Sequence, residues 1–233
     1  MKTAWYHTLA ISAGVGLFMV TAACSTTHYA RPVGKGNTAV ELSLGGPFGQ
    51  VFGKPVPLPL TTLGITHGVS DKLDVYGHLF PTMAAYQLVG VDVGASYLLR
   101  GQSGKIPAVV AGGALLFTTD ISPQESPTGC NTCLMIDPHG VASWSLGPHL
   151  LYVGARGLLQ TTPHMTEGTR RFMVAPLVGT ELRTGDHLGI TLEGRWEAPF
   201  VNTTNDVVTW YGLSNHGAWA ALLGFNFHLN QPE

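Results

Sequence analysis

Charged residues are scarce in this sequence. They make up 11% of its 233 residues, while hydrophobic residues make up 45%. A soluble domain usually carries about 25% charge, so a surface with so few charges is too apolar for a protein that folds in water. The formal net charge is only −2, and the composition therefore suggests neither nucleic acid nor an anionic surface as a partner.

Long apolar runs are also missing after the first 24 residues. A membrane-spanning helix needs about 20 consecutive apolar residues, and no such run follows Cys24. If the mature protein spans a bilayer, it must therefore do so as a closed β-barrel. An earlier apolar stretch, residues 9–20, follows the positive charge of Lys2 and ends in small residues, which predicts a signal peptide over residues 1–23.

The end of this segment resembles the lipobox of bacterial lipoproteins, because its small residues stop directly before Cys24. In that family the cysteine is lipidated and becomes the new N-terminus. Thr21 occupies the position that is usually leucine in the family, and ordinary signal cleavage after Ala23 is the alternative. Ser25 stands in place of the aspartate that retains such lipoproteins in the inner membrane, so the resemblance implies the bacterial outer membrane.

Helical periodicity is absent as well. No segment repeats its apolar residues every 3.6 positions, and the 30 glycines and 15 prolines are spread along the chain. From Thr38 onward, apolar and polar residues alternate with a period of two, which is typical of β-strands. We predict ten strands, at residues 38–46, 60–69, 73–80, 89–99, 108–118, 139–146, 150–160, 172–183, 188–200 and 217–229.

The predicted connections alternate in length. Those after the second, fourth, sixth and eighth strands are short, and those after the odd-numbered strands are longer. Short periplasmic turns and long external loops are typical of outer-membrane barrels. We predict an all-β fold, an antiparallel up-and-down transmembrane β-barrel of about ten strands, with eight or twelve as alternatives. The barrel takes residues 38–229, after a periplasmic lead of residues 24–37 and before a tail of residues 230–233.

The two faces of each predicted strand differ in kind. In the segment LGITLEGRWE, residues 188–197, Ile190 and Leu192 share one parity, and Glu193 and Arg195 share the other. We predict that the aliphatic faces meet lipid and that the charged faces point into the lumen, where acids and bases can pair. The predicted lumen charges are Glu41, Asp74, Asp92, Arg156, Glu181, Arg183, Glu193, Arg195 and Glu197. A barrel of about eight strands is filled by side chains, so we expect no large open pore; a narrow polar path is the alternative.

The last predicted strand, GAWAALLGFNFHL, resembles the C-terminal insertion signal of bacterial outer-membrane barrels. Gly224, Phe227 and Leu229 have the family's spacing, in which two alternating hydrophobic or aromatic positions follow a glycine, although Leu222 departs from the polar residue expected there. Over residues 38–229 the chain resembles small outer-membrane β-barrel proteins. The resemblance implies outer-membrane lipids and the barrel-assembly machinery as partners, with a structural role or a surface role through the long loops.

Two other functions are compatible with the alternation. A periplasmic, lipid-anchored barrel similar to a lipocalin would turn its aliphatic faces inward, around a hydrophobic ligand. An outer-membrane lipid-modifying enzyme would need a catalytic group, for which the best set in the sequence is Asp74, His78, His139 and Ser143. Because no Gly-x-Ser-x-Gly or His-Glu-x-x-His motif is present, we predict that the protein is not an enzyme.

The sequence contains only three cysteines, and two of them, Cys130 and Cys133, form a Cys-x-x-Cys pair in the longest predicted loop. Such a pair can be a disulfide, a redox centre or half of a zinc site. A redox centre needs a helix N-terminus, and a zinc site needs two further ligands, for which His139 is the near candidate. In an exported protein, a disulfide between Cys130 and Cys133 is the simplest prediction, and we expect no metal or cofactor.

Overall fold

The computed structural model describes residues 27, 29–51, 54–121, 132–161, 172–185, 187–203 and 210–229. Within them the chain is almost entirely β-structure. The strands are β1 (Thr38–Val51), β2 (Lys54–Pro57), β3 (Thr61–Gly68), β4 (Leu73–Leu79), β5 (Leu88–Arg100), β6 (Ala108–Asp120), β7 (Thr132–Leu146), β8 (His149–Gln160), β9 (Phe172–Arg183), β10 (Leu188–Asn202) and β11 (His216–His228). A 3-10 helix, Pro81–Tyr86, connects β4 to β5. In these ranges no helix has the length and apolar character needed to cross a bilayer.

One antiparallel sheet closes on itself into a barrel of ten strands. Consecutive strands pair from β3 to β11, and β1 pairs with β3 on one side and with β11 on the other. The closing pair is long, since its register runs from Ala39 opposite His228 to Pro47 opposite Ala220. β2 lies outside this ring and pairs with the last four residues of β1. The predicted fold, an up-and-down antiparallel barrel of ten strands, is confirmed.

The two ends of the barrel are built differently. At one end, called the turn end here, short turns join β3 to β4, β5 to β6, β7 to β8 and β9 to β10, and the barrel also begins and ends there, at Thr38 and His228. The opposite end, the loop end, carries the longer connections, parts of which lie outside the described residues. Short and long connections alternate as the sequence predicts.

β7 begins earlier than the sequence predicts. The alternation indicates a start at residue 139, but the strand starts at Thr132 and continues through Pro138. Pro138 accounts for the difference, because a proline has no N–H to donate and usually marks the end of a strand. Here β7 pairs with β6 through residues 137 and 138, while its register with β8 skips both of them. The proline is therefore tolerated because the hydrogen-bonded ladder between β7 and β8 is interrupted at this position.

The outer surface of the barrel is aliphatic, and the polar parity faces inward. On β10, Leu192 is 47% exposed, whereas Glu193 and Arg195 are 3% and 1% exposed. Other strands follow the same rule, and their exposed side chains include Ile65, Leu79, Val93, Phe117, Val153, Phe172 and Val178. This orientation is the reverse of the one that a barrel with an aliphatic, ligand-binding interior requires.

Candidate functional site

The lumen is where the polar and charged side chains of the barrel converge. Of the nine predicted lumen charges, seven are buried, namely Glu41, Asp74, Arg156, Glu181, Glu193, Arg195 and Glu197. Asp92 is partly buried. Arg183 is exposed at the turn end, where its Nε donates to Glu181 at 3.0 Å. Period-two alternation thus places most of these charges on the face that the structure turns inward.

Arg195 is the centre of a fully enclosed group of charges. Its Nε donates to Glu193, and its Nη1 lies 3.8 Å from Oε1 of Glu197. Tyr152 of β8 donates its hydroxyl to Oε2 of Glu193 at 2.7 Å. The three charged residues alternate along β10, so their side chains lie next to one another on the same face. Because a buried charge is stable only when it is paired and hydrogen-bonded, the group holds its members in one arrangement.

A second pair joins β7 to β8. Arg156 donates from Nε to Oδ1 of Asp137 at 3.2 Å and from Nη2 to Oδ2, which is the bidentate geometry favoured by guanidinium and carboxylate. The sequence predicts Arg156 as a lumen charge but assigns Asp137 to a loop, because the predicted strand starts after it. Asp137 has the same parity as His139, and extending the alternation two residues backward would have found it.

His78 of β4 joins acids of two other strands. Its Nδ1 lies 2.6 Å from Oδ1 of Asp92 on β5, and its Nε2 lies 3.8 Å from Oε2 of Glu41 on β1. Glu41 also accepts a hydrogen bond of 2.9 Å from the hydroxyl of Thr27. All of these groups except Asp92 are buried. His78 is therefore a connecting residue of the lumen network, surrounded by carboxylates.

The four residues considered for catalysis do not form one group. Asp74 and Ser143 both bond to the backbone of the segment that precedes β1, whereas His78 bonds to Asp92. His139 packs beside an aromatic ring of β4, with 6.3 Å between the ring centroids. Among the residues that the structure describes, no group of three or more His, Cys, Asp or Glu side chains is arranged to hold a metal ion.

Glycines provide the space for the large rings of the lumen. Four rings each face a glycine that is their direct partner on the neighbouring strand: His78 with Gly64, Tyr76 with Gly94, His139 with Gly112, and Tyr152 with Gly179. A Cβ built on any of these glycines would lie 2.1–2.6 Å from the nearest atom of the facing ring. The glycines of the polar face therefore have a packing role.

Gly179→Ala is expected to destabilise the barrel by about 1–3 kcal/mol, as overpacking of a filled core does. The added methyl group would lie 2.3 Å from Cζ and Oη of Tyr152. Urea unfolding of the purified protein measures the loss. Gly194→Ala on β10 is the matched control, because the nearest atom to its Cβ would be a carbonyl oxygen at 4.0 Å. Equal unfolding free energies for the two variants would contradict the proposed packing.

Apolar side chains cross the lumen at the loop end. One cluster contains Leu60, Phe80, Met83, Leu88, Leu116, Met135, Leu158, Met173 and Ala198, with Leu58, Cys133 and Val201 packed against it. Met83 comes from the 3-10 helix and is fully buried. Its Sδ occupies the space that a Cβ of Gly90 would need. Such side chains offer no ligands to an ion, so the burial of an ion in this layer would cost free energy.

The turn end is crossed by the N-terminal lead, which is described at residues 27 and 29–37. Ala30 is buried in an apolar cluster with side chains of β7, β8 and β9. Its carbonyl accepts a hydrogen bond of 3.1 Å from Ser143, which also accepts one of 3.4 Å from Nε of Arg31. On the other side of the barrel, the backbone N–H of Val33 donates to Asp74 at 2.9 Å. The lead is thus attached to opposite walls of the lumen.

Thr27 and Tyr29 extend these contacts deeper into the barrel. Thr27 packs against Gly224. A Cβ added to Gly224 would come within 2.4 Å of the hydroxyl of Thr27. Burial, and after it the nearby carboxylate of Glu41, raises the pKa of Tyr29 well above its ordinary value, so the phenol stays neutral. The sequence assigns residues 24–37 to a periplasmic lead and gives no sign that part of it fills the lumen.

The predicted insertion signal covers the end of β11 and the residue after it, Leu229. Gly224 faces inward against the lead, whereas Phe227 and Leu229 face outward and are 43% and 59% exposed. Cys24 and Cys130 lie outside the described residues, as do the signal peptide and residues 230–233. Lipidation of Cys24 and the disulfide between Cys130 and Cys133 therefore stay predictions. Cys133 lies near the start of β7, against the apolar cluster of the loop end.

Solved structures that are similar to this barrel are outer-membrane proteins of bacteria. An outer membrane channel from Pseudomonas putida F1 matches with a TM-score of 0.49 and 10% identity, over 88% of this chain and 100% of that one. The NanC porin matches with a TM-score of 0.43 and 9% identity, over 82% and 98%. Ail, the attachment invasion locus protein of Yersinia pestis, matches with a TM-score of 0.29 and 9% identity, over 84% and 99%. The chain matches no protein-family model and no curated protein sequence.

Proposed function

We propose that this chain is a β-barrel lipoprotein of the bacterial outer membrane, with a structural role or a surface role through its long loops, and that its lumen is closed to ions. The observation that carries the proposal is the division between an aliphatic exterior and a buried, charged interior. In water, this exterior would leave a continuous band of large apolar side chains exposed, whereas in a bilayer the same band meets hydrocarbon.

The turn end is assigned to the periplasm and the loop end to the outside. This orientation follows the rule that outer-membrane barrels have short periplasmic turns and long external loops. The barrel begins and ends at the turn end, but Thr27, three residues after Cys24, is buried in the lumen. A lipid on Cys24 would reach the periplasmic leaflet if residues 24–26 return toward the turn end. A disulfide between Cys130 and Cys133 would restrain the external connection between β6 and β7, where surface recognition would take place.

The lumen contains three successive layers. The N-terminal lead lies at the turn end, the paired charges lie in the middle, and the apolar cluster lies at the loop end. An ion that crossed the barrel would have to displace the lead, break buried ion pairs and enter an apolar layer. Each of these steps costs free energy that a water-filled channel does not demand.

The mature chain, reconstituted in a planar bilayer, is therefore expected to show no stepwise ion conductance. A porin incorporated under the same conditions serves as the positive control for insertion and detection. Resolved conductance steps of porin size from this chain would contradict the closed lumen. Small steps that disappear when its charged residues are replaced would favour a narrow polar path.

Because the four residues considered for catalysis are not assembled, we also expect no turnover of labelled phospholipid or lipopolysaccharide.

A further inference from the structure

Three of the exposed cations of the turn end lie on one side of the barrel. Lys72 lies in the turn between β3 and β4, Arg100 is the last residue of β5, and Lys105 lies in the turn between β5 and β6; all three are exposed. We call these three residues the basic patch. Lys35 of the lead and Asp71 are exposed beside it, and Asp71 accepts a hydrogen bond of 3.4 Å from the backbone of Lys35. Three cations therefore project from adjacent turns, although the chain as a whole has a net charge of −2.

Backbone contacts hold the basic patch in place. The carbonyl of Lys72 accepts a hydrogen bond of 2.8 Å from the N–H of Leu98, two residues before Arg100. A β-bulge between Leu98 and Arg100 shifts the register there, and bulges redirect side chains at the rims of barrels. The carbonyl of Lys105 accepts a hydrogen bond of 3.0 Å from Nε1 of Trp144. The two turns are thus tied to the neighbouring strands.

The charges of the basic patch are available to a ligand. Among the described residues, none of its three members forms an ion pair. The charges that pair in the structure belong to other groups, most of them in the lumen. Asp71, the acid adjacent to Lys72, is exposed and accepts a hydrogen bond from the backbone of Lys35. Asp74 is fully buried and bonds to the lead. A phosphate at the patch would therefore not have to break an existing ion pair, and the one exposed carboxylate beside it is that of Asp71.

Apolar and aromatic side chains lie beside the basic patch on the outer wall. Tyr97, Leu99 and Ile106 are 46%, 62% and 47% exposed, and Trp144 is partly buried. Tyrosine and tryptophan are enriched where a membrane meets water, and long cationic side chains extend from that boundary toward the headgroups. This combination suits a ligand that has both an acyl chain and an anionic headgroup better than it suits a soluble anion.

We propose that the basic patch binds the phosphate of anionic phospholipids in the membrane leaflet that the turn end meets. The inference rests on the proposed location of the barrel in a membrane. The guanidinium of Arg100 and the ammonium groups of Lys72 and Lys105 contact the headgroup, while the acyl chains lie along Leu99 and Ile106. An anionic lipid binds more tightly than a zwitterionic one, because its headgroup carries net negative charge close to the three cations.

The experiment uses the mature chain in detergent and measures bound lipid by mass spectrometry of the intact protein. Phosphatidylglycerol and phosphatidylcholine are added at equal concentrations. We expect wild type to bind phosphatidylglycerol at least about fivefold more tightly, the effect of roughly one cation near an anionic lipid. The variant Lys72→Gln/Arg100→Gln/Lys105→Gln is expected to lose this preference. The matched control Lys54→Gln/Arg170→Gln/Arg171→Gln, which removes three positive charges from the first residue of β2 and from the sequence between β8 and β9, is expected to keep it.

Equal binding of the two lipids by wild type, or an equal loss of preference in both variants, would overturn the proposal. Cosedimentation of wild type with peptidoglycan in the absence of a lipid preference would also overturn it. The wild-type preference should fall when NaCl is raised from about 0.05 M to about 0.5 M, because salt screens exposed charges, and this test does not depend on how the variants fold. Release of wild type from membranes by carbonate would instead refute the membrane location itself.

Discussion

Arg195→Met is expected to lower the free energy of unfolding by about 3–5 kcal/mol, because it leaves buried carboxylates without their cationic partner. Glu193 and Glu197 both face this guanidinium, and all three side chains are buried. Methionine keeps much of the length of arginine and adapts to irregular spaces, so the loss of charge dominates over the loss of volume. Urea unfolding measures the effect as a lower midpoint with an unchanged slope.

Arg183→Met is the matched control for Arg195→Met. Arg183 also pairs with a carboxylate, that of Glu181, but its side chain is 47% exposed at the turn end. Its replacement is expected to cost less than about 1 kcal/mol, as is typical of exposed ion pairs. The variant Arg195→Met/Glu193→Gln/Glu197→Gln removes the whole charge group and should recover most of the lost stability. Similar losses for the two single variants would contradict the charge group described in the lumen.

Leu192→Arg is expected to cost about 2–4 kcal/mol and to impair insertion, which is the effect of a cation on the lipid face near the bilayer midplane. Leu192 lies on the aliphatic exterior, in the middle of the part of β10 that pairs with both β9 and β11. The fraction of protein that resists carbonate extraction measures insertion, and unfolding from vesicles by urea measures the change in stability.

Phe200→Arg is the control for depth in the bilayer. Phe200 is also on the exterior, at 69% exposure, but lies toward the loop end of β10. Arginine costs only about 0–1 kcal/mol near a membrane interface, so this variant should insert normally. If water surrounded the barrel, both positions would accept arginine with similarly small effects. Equal results for Leu192→Arg and Phe200→Arg would therefore contradict a lipid-facing exterior.

The strands could be predicted where one face is consistently apolar and the ends carry turn residues. β9, Phe172–Arg183, agrees with the prediction at both ends. The predicted β7 is too short, because Pro138 interrupts the pattern and because the inner face of the strand combines Met135 with Asp137. β2, Lys54–Pro57, was missed within a predicted loop. This strand has only four residues, two of them prolines, so it shows no alternation that could be recognised in the sequence.

The lumen could be predicted as a set of residues but not as a set of contacts. Parity along a strand determines which side chains point inward, and this places Arg195 and Glu193 together without knowledge of the fold. The contacts of Arg156 with Asp137 and of His78 with Asp92 depend on the register between strands, which the sequence does not state. The path of the N-terminal lead depends on partners distributed over distant strands.

The accessibility of a nitroxide on Leu192→Cys shows directly whether the aliphatic parity of β10 meets lipid or water, in a chain reconstituted in vesicles with its native cysteines replaced by serine. If the aliphatic parity faces hydrocarbon, collisions with dissolved oxygen should exceed collisions with a water-soluble nickel chelate at Leu192→Cys. The same relation should hold at Ile190→Cys, which has the same parity, and accessibility to the chelate should rise at Phe200→Cys. Free access of the chelate to Leu192→Cys, at the level found for a label in solution, would contradict a lipid-facing exterior.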